Sequence, residues 1–177
     1  FLNLGKTLVI SGQHENAAGV FQESLKRDQQ IPETWFCFGN ALREMEENQE
    51  SMKAYLNALQ LNPSHVGAAG NLGALLTEEG ELDEAEEVLR KALETDPKHV
   101  FCLVNLGNVL KEEGELEEAK VSYRKAIKSK PDFAYAYSHL GFLLIREVRI
   151  LEALSLLREG DQNCDKSPEI KHLLGTL

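Results

Sequence analysis

The chain has 177 residues, of which 42% are hydrophobic, and it carries 29 acidic against 19 basic side chains. The apolar fraction is high enough for a folded core and excludes wholesale disorder, while the lack of an apolar run of 18 residues excludes a membrane-spanning helix. Because a net charge of -10 repels phosphate backbones and anionic lipid, we expect neither a nucleic acid partner nor direct membrane insertion.

The sequence repeats itself every 34 residues. Prolines and glycines mark this period: Pro63, Pro97 and Pro131, and Gly5, Gly39, Gly73, Gly107 and Gly141. A fixed period of this size indicates stacked copies of one supersecondary unit. We divide the chain into an N-terminally truncated unit, four further units and a short remainder: 1–31, 32–65, 66–99, 100–133, 134–167 and 168–177.

Each unit predicts two helices joined by a turn. In the unit 100–133, apolar residues recur at spacings of three and four, which is the period of one helix face, and Gly114 stands where the first helix must end. We expect its helices roughly over 100–113 and 116–129. Taken along the chain, the pattern predicts ten helices in five antiparallel pairs and a partial eleventh from 168 onward. In the last pair Arg149 replaces the turn glycine, and Asp165 replaces the proline.

The repeat resembles the tetratricopeptide repeat family. The unit 100–133 carries that family's residues at matching positions, namely Leu103, Leu106, Gly107, Leu110, Ala119, Tyr123, Ala126 and Pro131. The resemblance covers almost the whole chain and implies an all-α fold, a right-handed α-solenoid of antiparallel helix pairs. First helices would line a concave groove and second helices the convex face. Residues 168–177 would be a capping helix or the start of a further repeat.

The same register predicts the core and the close helix contacts. The expected core residues are Trp35, Phe38, Leu42, Tyr55, Leu72, Leu76, Leu89, Leu106, Leu110, Tyr123, Tyr137, Leu140 and Leu157. Gly107 and Ala119 are expected where paired helices approach most closely. Lys120 is expected on the convex face, where its replacement should have no effect.

The groove side of the first helices supplies the candidate partner-binding residues. They are Asn3, Lys6, Phe36, Asn40, Arg43, Asn71, Phe101, Asn105, Asn108, Lys111, Tyr135, His139, Phe142 and Arg146. Asparagine recurs among them although it is a poor helix former, and its amide carries both a donor and an acceptor. A row of such amides can pair with the backbone of an extended peptide. The alternative is that these asparagines cap or hydrate helix surfaces.

Two known groove chemistries can be compared with this pattern. The segment 105–119 is similar to the repeats of O-GlcNAc transferase, in which a ladder of asparagines lines the groove. That ladder is matched by Asn3, Asn71 and Asn105 and interrupted by Cys37 and His139. The other chemistry is a two-carboxylate clamp for the C-terminal tails of chaperones. We do not expect this clamp, because the positions of its cations hold Phe36, Phe101 and Asn105.

Catalytic and metal-binding motifs are missing from the sequence. The five histidines form no metal motif, and the glycines form no phosphate-binding loop. We therefore expect no enzyme activity, no cofactor and no metal. Three isolated cysteines favour the cytoplasm or another reducing compartment, and they are Cys37, Cys102 and Cys164.

Three functions remain open at this point. The leading one is a non-catalytic protein–protein interaction scaffold that holds a partner peptide or helix in its groove. The second is the substrate-selecting segment of a larger glycosyltransferase-like enzyme. The third is a scaffold that self-associates through its end repeats, which is suggested by apolar residues at groove positions near the ends: Val9, Ile10, Phe142 and Ile145.

Overall fold

The computed structural model describes residues 1–164 and 167–177. Within this part of the chain there are eleven α-helices and no strand. The helices are α1 (Leu2–Ile10), α2 (His14–Arg27), α3 (Pro32–Glu44), α4 (Asn48–Leu61), α5 (Val66–Glu79), α6 (Leu82–Thr95), α7 (Val100–Glu113), α8 (Leu116–Ser129), α9 (Ala134–Arg146), α10 (Ile150–Asn163) and α11 (Pro168–Gly175). Each helix packs mainly on its neighbours in the chain, so the fold is the predicted all-α solenoid.

The predicted helix bounds of the unit 100–133 are confirmed by α7 and α8. Gly80 and Gly114 end their helices with left-handed backbone, at φ values of 84° and 87°, as the sequence predicts. In the last pair the left-handed residue is Val148, with a φ of 61°. Arg149 instead caps the start of α10, so the predicted position of the missing glycine was wrong by one residue. Asp165 lies outside the described residues.

Each pair is held close by a glycine that faces a large side chain. A Cβ atom at Gly107 would lie 2.5 Å from Cε1 of Tyr123, and one at Gly39 would lie 2.6 Å from Cε1 of Tyr55. Both distances are too short for any real contact, so only glycine permits this helix spacing. Ala119, the other residue predicted at a close approach, is fully buried.

The core is continuous from α4 to α10 and is extended by smaller clusters at each end. Of the predicted core residues, all except Trp35 and Phe38 are buried. These two rings pack on the core with one side only, because a crevice between α2 and α4 opens over them. The prediction that they are core residues was therefore only half right.

The structure contradicts the expectation that Lys120 is exposed on the convex face. Its side chain is 0% exposed, and its Nζ donates to Glu117 at 2.6 Å and to Glu147 at 2.7 Å. Glu147 ends α9, so the turn between α9 and α10 folds over Lys120 and covers it. Because of this burial, we now expect the replacement of Lys120 to destabilise the fold.

The curvature places the first helices on the inside. Direct contacts join α1 to α3 and α5 to α7, whereas crevices separate α2 from α4 and α6 from α8. The first helices therefore form the inner face and the second helices form the outer face. No helix in the described ranges combines the length and the apolar character needed to cross a membrane.

Candidate partner-binding groove

The inner face holds two pockets along the solenoid. The central pocket has a volume of about 370 Å³ and lies between α3, α5, α7 and α9. It is lined by five of the predicted groove residues, which are Arg43, Asn105, Asn108, Lys111 and His139. The N-terminal pocket has a volume of about 260 Å³ and is lined by three more, which are Lys6, Phe36 and Asn40. Val9 and Ile10 add apolar surface to this second pocket.

Asn71 joins the helices between these pockets. Its Nδ2 donates to Oδ1 of Asn40 at 2.8 Å and to the hydroxyl of Tyr55 at 3.2 Å. The Tyr55 hydroxyl in turn donates to the same Oδ1 at 2.8 Å. Both N–H groups of Asn71 are thus used to hold α5 against α3 and α4, which is a structural role that we did not predict.

The other two pocket asparagines are also partly used by the fold. Nδ2 of Asn105 donates to the carbonyl of Gly70 at 2.9 Å, and Oδ1 of Asn108 accepts from the hydroxyl of Tyr123 at 2.8 Å. Several amide atoms make no hydrogen bond within the described residues, namely Nδ2 of Asn40, Oδ1 of Asn71, Oδ1 of Asn105 and Nδ2 of Asn108. Donors and acceptors therefore both remain on the inner face.

Sequence reasoning missed the contribution of the tyrosines. Tyr55 and Tyr123 were predicted only as core, yet their hydroxyls fix the amides of Asn40 and Asn108. The signal was present in the repeat register, because the two units with this asparagine also have a tyrosine 15 residues later. The units 66–99 and 134–167 lack both residues and carry Ala74 with Leu89 and Phe142 with Leu157.

The cations of the inner face are paired with glutamates. Nζ of Lys6 lies 2.6 Å from Glu33, Arg43 lies 3.8 Å from Glu78 and Lys111 lies 2.8 Å from Glu112. Burial alone would raise the pKa of Glu33. Hydrogen bonds from Lys6 and His65 have the larger combined effect, so the pKa of Glu33 is lower than its usual value. Since Lys6, Arg43 and Lys111 each have an adjacent carboxylate, the two pockets do not present the unpaired cations that a carboxylate clamp needs.

His139 is a half-buried part of the central pocket wall. Its ring stacks on Tyr123 with 5.5 Å between the centroids. Burial lowers the pKa of His139, and the positive charge of Lys111 lowers it further, so the imidazole is neutral at pH 7. It contributes a flat, uncharged surface next to the asparagines.

The remaining predicted groove residues lie outside the two pockets. Phe101 is 59% exposed and packs edge-on against Phe133 at 5.1 Å, while Tyr135 is exposed beside the same ring. Further along, the guanidinium of Arg146 lies 5.9 Å above the ring of Phe142. Asn3 is exposed on α1, and its backbone carbonyl accepts a hydrogen bond from the hydroxyl of Thr7. The structure therefore groups Phe101 with Tyr135 around Phe133 and Arg146 with Phe142, but it does not bring these residues into the two pockets.

Family models match three overlapping segments of the chain. Two models described as "Tetratricopeptide repeat" match residues 38–100 and 88–121. A third, described as "TPR repeat", matches residues 107–146. The three matches together run from residue 38 to residue 146. No curated protein matches the sequence.

Solved structures share the fold at low sequence identity. MamA from Desulfovibrio magneticus RS-1 is 22% identical, with 91% of each chain covered and a TM-score of 0.78. Pseudomonas aeruginosa pilF is 19% identical, with 97% of this chain and 78% of that chain covered and a TM-score of 0.85. YrrB, described as a TPR protein with an unusual peptide-binding site, is 20% identical, with 99% and 90% covered and a TM-score of 0.73. At these identities the likeness concerns the fold alone.

Proposed function

Because the chain belongs to the tetratricopeptide repeat family, we propose that it is a non-catalytic protein–protein interaction scaffold whose inner groove holds an extended segment of a partner protein. The observation that supports this function is the set of amide atoms that the fold leaves without partners. Nδ2 of Asn40 and Nδ2 of Asn108 can donate to peptide carbonyls, and Oδ1 of Asn71 can accept from a peptide N–H.

The charge of the groove favours an internal, largely uncharged segment. Lys6, Arg43 and Lys111 each lie next to a glutamate, so a terminal carboxylate would meet a like charge beside each of these cations. The apolar surface of Val9, Ile10 and Phe36 suits an apolar side chain of the ligand. Main-chain hydrogen bonds would then supply affinity, and this pocket would supply selectivity.

The test replaces the unused donors without disturbing the fold. In Asn40→Asp and Asn108→Asp the Oδ1 acceptor for the tyrosine hydroxyl remains, but the donor becomes an oxygen. The probe is a mixed-sequence library of end-blocked peptides of about ten residues, long enough to span more than one repeat when extended. Each lost hydrogen bond is worth about 0.5–1.5 kcal/mol, so we expect the double variant to weaken selected peptides by roughly five- to 150-fold.

Asn62→Asp is the matched control. Its Oδ1 accepts from the N–H of Ser64 at 3.1 Å in an exposed loop outside the groove, so Asn62→Asp adds the same charge as each single groove replacement and should leave peptide binding unchanged. Phe101→Ala tests the exposed ring at the groove edge. The proposal fails if binding ignores these groove changes but disappears when Glu84, Glu86 and Glu87 are neutralised, since the site would then lie on α6.

A second candidate is the substrate-selecting segment of a glycosyltransferase-like enzyme. It rests on the similarity of the segment 105–119 to the repeats of O-GlcNAc transferase and on the groove position of Asn105. Both candidates use the same groove and differ in whether a catalytic domain is linked to it. The length of the intact gene product separates them.

The proposed compartment is the cytoplasm or another reducing environment. Cys37, Cys102 and Cys164 are all buried, and burial raises the pKa of Cys37 to about 11 and that of Cys102 to about 12. These thiols are therefore neutral and unreactive. They contribute to the fold by packing as free thiols, which does not require an oxidising compartment.

A further inference from the structure

The outer face has an apolar crevice between α2 and α4. Its volume is about 650 Å³, within the range of ligand-binding pockets, and its floor includes Trp35, Phe38, Leu42 and Met45. The first two rings are only partly buried, whereas the residues that replace them in the following units are buried: Ala69, Leu103 and Tyr137, and Leu72, Leu106 and Leu140. The junction between α2 and α4 thus exposes aromatic surface, whereas the residues at the equivalent positions of the following units are covered.

Gly19 places no side chain in the crevice. A Cβ atom at this position would meet no other atom within 4 Å. The same register position carries side chains in the following units, which are Lys53, Glu87 and Val121. The rim is acidic, with Glu15, Glu47 and Glu50 against Lys53, and Nζ of Lys53 lies 3.5 Å from Glu50. The crevice therefore suits an apolar side chain flanked by positive charge.

A protrusion of this kind exists on the chain itself, at the turn between α9 and α10. Val148 is 79% exposed and Leu151 is 84% exposed, with Ile150 beside them. Arg146 and Arg149 flank these apolar residues. Arg149 pairs with Glu152 and lies 3.5 Å from Glu147. The side chains of Arg149 and Glu152 are 44% and 42% exposed, and a pair this open to solvent is weak and can exchange partners.

The backbone of this turn is strained. Val148 has a φ of 61°, which costs a β-branched residue about 1–3 kcal/mol. Three equivalent turns avoid that cost with glycine, at Gly12, Gly80 and Gly114, and the fourth has the polar Glu46 at the same φ of 61°. Val148 is thus the one apolar side chain at this position among the five turns. An exposed apolar residue kept in a strained conformation points to a functional surface.

We propose that the α9–α10 turn of one copy docks into the α2–α4 crevice of a second copy. Within one chain the turn and the crevice lie in different end regions of the solenoid, so the contact must be intermolecular. It joins two different surfaces and leaves one turn and one crevice free, so it extends the assembly head to tail. This association uses the outer face and leaves the inner groove available for the partner.

Sedimentation velocity over a concentration series of the whole chain tests the proposal. Gly19→Arg fills the crevice and repels the arginines of the turn, while Gly19→Ala leaves the crevice open and serves as its matched control. Leu151→Glu removes the apolar contact, and an acidic residue suits the first turn of α10. Since burying a leucine contributes about 1.5–3 kcal/mol, we expect the arginine and glutamate variants to weaken association by roughly 10- to 140-fold. The alanine variant should associate like the original chain.

Mixing provides the sharper readout. Gly19→Arg retains a functional turn and Leu151→Glu retains a functional crevice, so an equimolar mixture should form one-to-one dimers that grow no further. Val148→Gly should weaken association and at the same time raise the melting temperature, because it removes the strain and the contact together. A chain that stays monomeric up to about 1 mM overturns the proposal. So does association that ignores both variants, or a mixture that remains monomeric.

Discussion

At the residue scale, Gly107 and Tyr123 set the distance between α7 and α8. The 2.5 Å that a Cβ atom would leave to the ring is more than an ångström below ordinary carbon contact. Tyr123 cannot move aside, because its hydroxyl is held by Asn108 at 2.8 Å. A single missing methyl group therefore fixes the helix spacing and, through it, the position of a groove amide.

Gly107→Ala should lower the free energy of unfolding by about 1–3 kcal/mol through overpacking. Gly19→Ala is the matched control, because its new Cβ meets nothing within 4 Å, and the alanine should stabilise α2 by up to about 1 kcal/mol. Urea unfolding followed by circular dichroism measures both changes. The role given to Tyr123 would be contradicted if both variants were stabilised or if both were destabilised.

At the element scale, the buried lysine links α8 to the next helix pair. Lys120 is held by Glu117 and Glu147, and burial lowers its pKa less than these two hydrogen bonds raise it. The same contact lowers the pKa of Glu147 from its usual value of 4.5. Folding and ionisation of this pair are therefore linked.

Lys120→Ala should lower the free energy of unfolding by about 2–3 kcal/mol. Breaking a fully buried pair costs about 3–5 kcal/mol, but Glu147 is 24% exposed and stays partly hydrated. Lys125→Ala, an exposed change on the same helix, should stay within about 0.5 kcal/mol. The original chain should keep the contribution of Glu147 above pH 4.5 and lose it as the pH falls through the lowered pKa of the folded state. Unfolding measured against pH should show a smaller acid loss in Lys120→Ala, in which Arg149 still lowers the pKa of Glu147; an unchanged profile would count against the pair.

Helix bounds were predictable where glycine marks them and less so elsewhere. Gly114 fixes the end of α7, and the predicted bounds of α7 and α8 match the structure. The last turn has no glycine, so the left-handed position of Val148 was assigned one residue too late. The burial of Lys120 was not predictable from helical period, because period gives the face of α8 but not the turn that folds over it.

The candidate groove was predictable in position but not in hydrogen bonding. The repeat register brought Asn71 and Asn105 to the inner face, yet the partners of their amides, Asn40 and the Gly70 carbonyl, lie in preceding units. Contacts between units depend on the stacking geometry, which sequence spacing alone does not supply. The pairing of asparagine with a tyrosine 15 residues later is a signal only for contacts within a unit, namely Asn40 with Tyr55 and Asn108 with Tyr123.

At the scale of the whole molecule, stability depends on contacts between neighbours. The main core cluster runs through α4 to α10, while separate clusters hold α1 to α3 and α9 to α11. No described residue of α1 or α2 belongs to the main cluster or to the C-terminal one. The two ends therefore unfold together only as long as the units between them transmit the coupling.

Gly107→Leu should break this coupling. Its larger side chain cannot fit beside Tyr123, so α7 and α8 must separate, and they lie within the cluster that joins the two ends. Because each unit is stabilised mainly by its neighbours, the segments on either side should then unfold with different stabilities. Urea unfolding should change from one transition to a broadened or split one, with a lower apparent dependence on denaturant concentration. Gly19→Ala, at the N-terminal end, should keep a single transition. A single transition of unchanged steepness in Gly107→Leu would mean that the unfolding of the two ends is coupled through contacts other than those between α7 and α8.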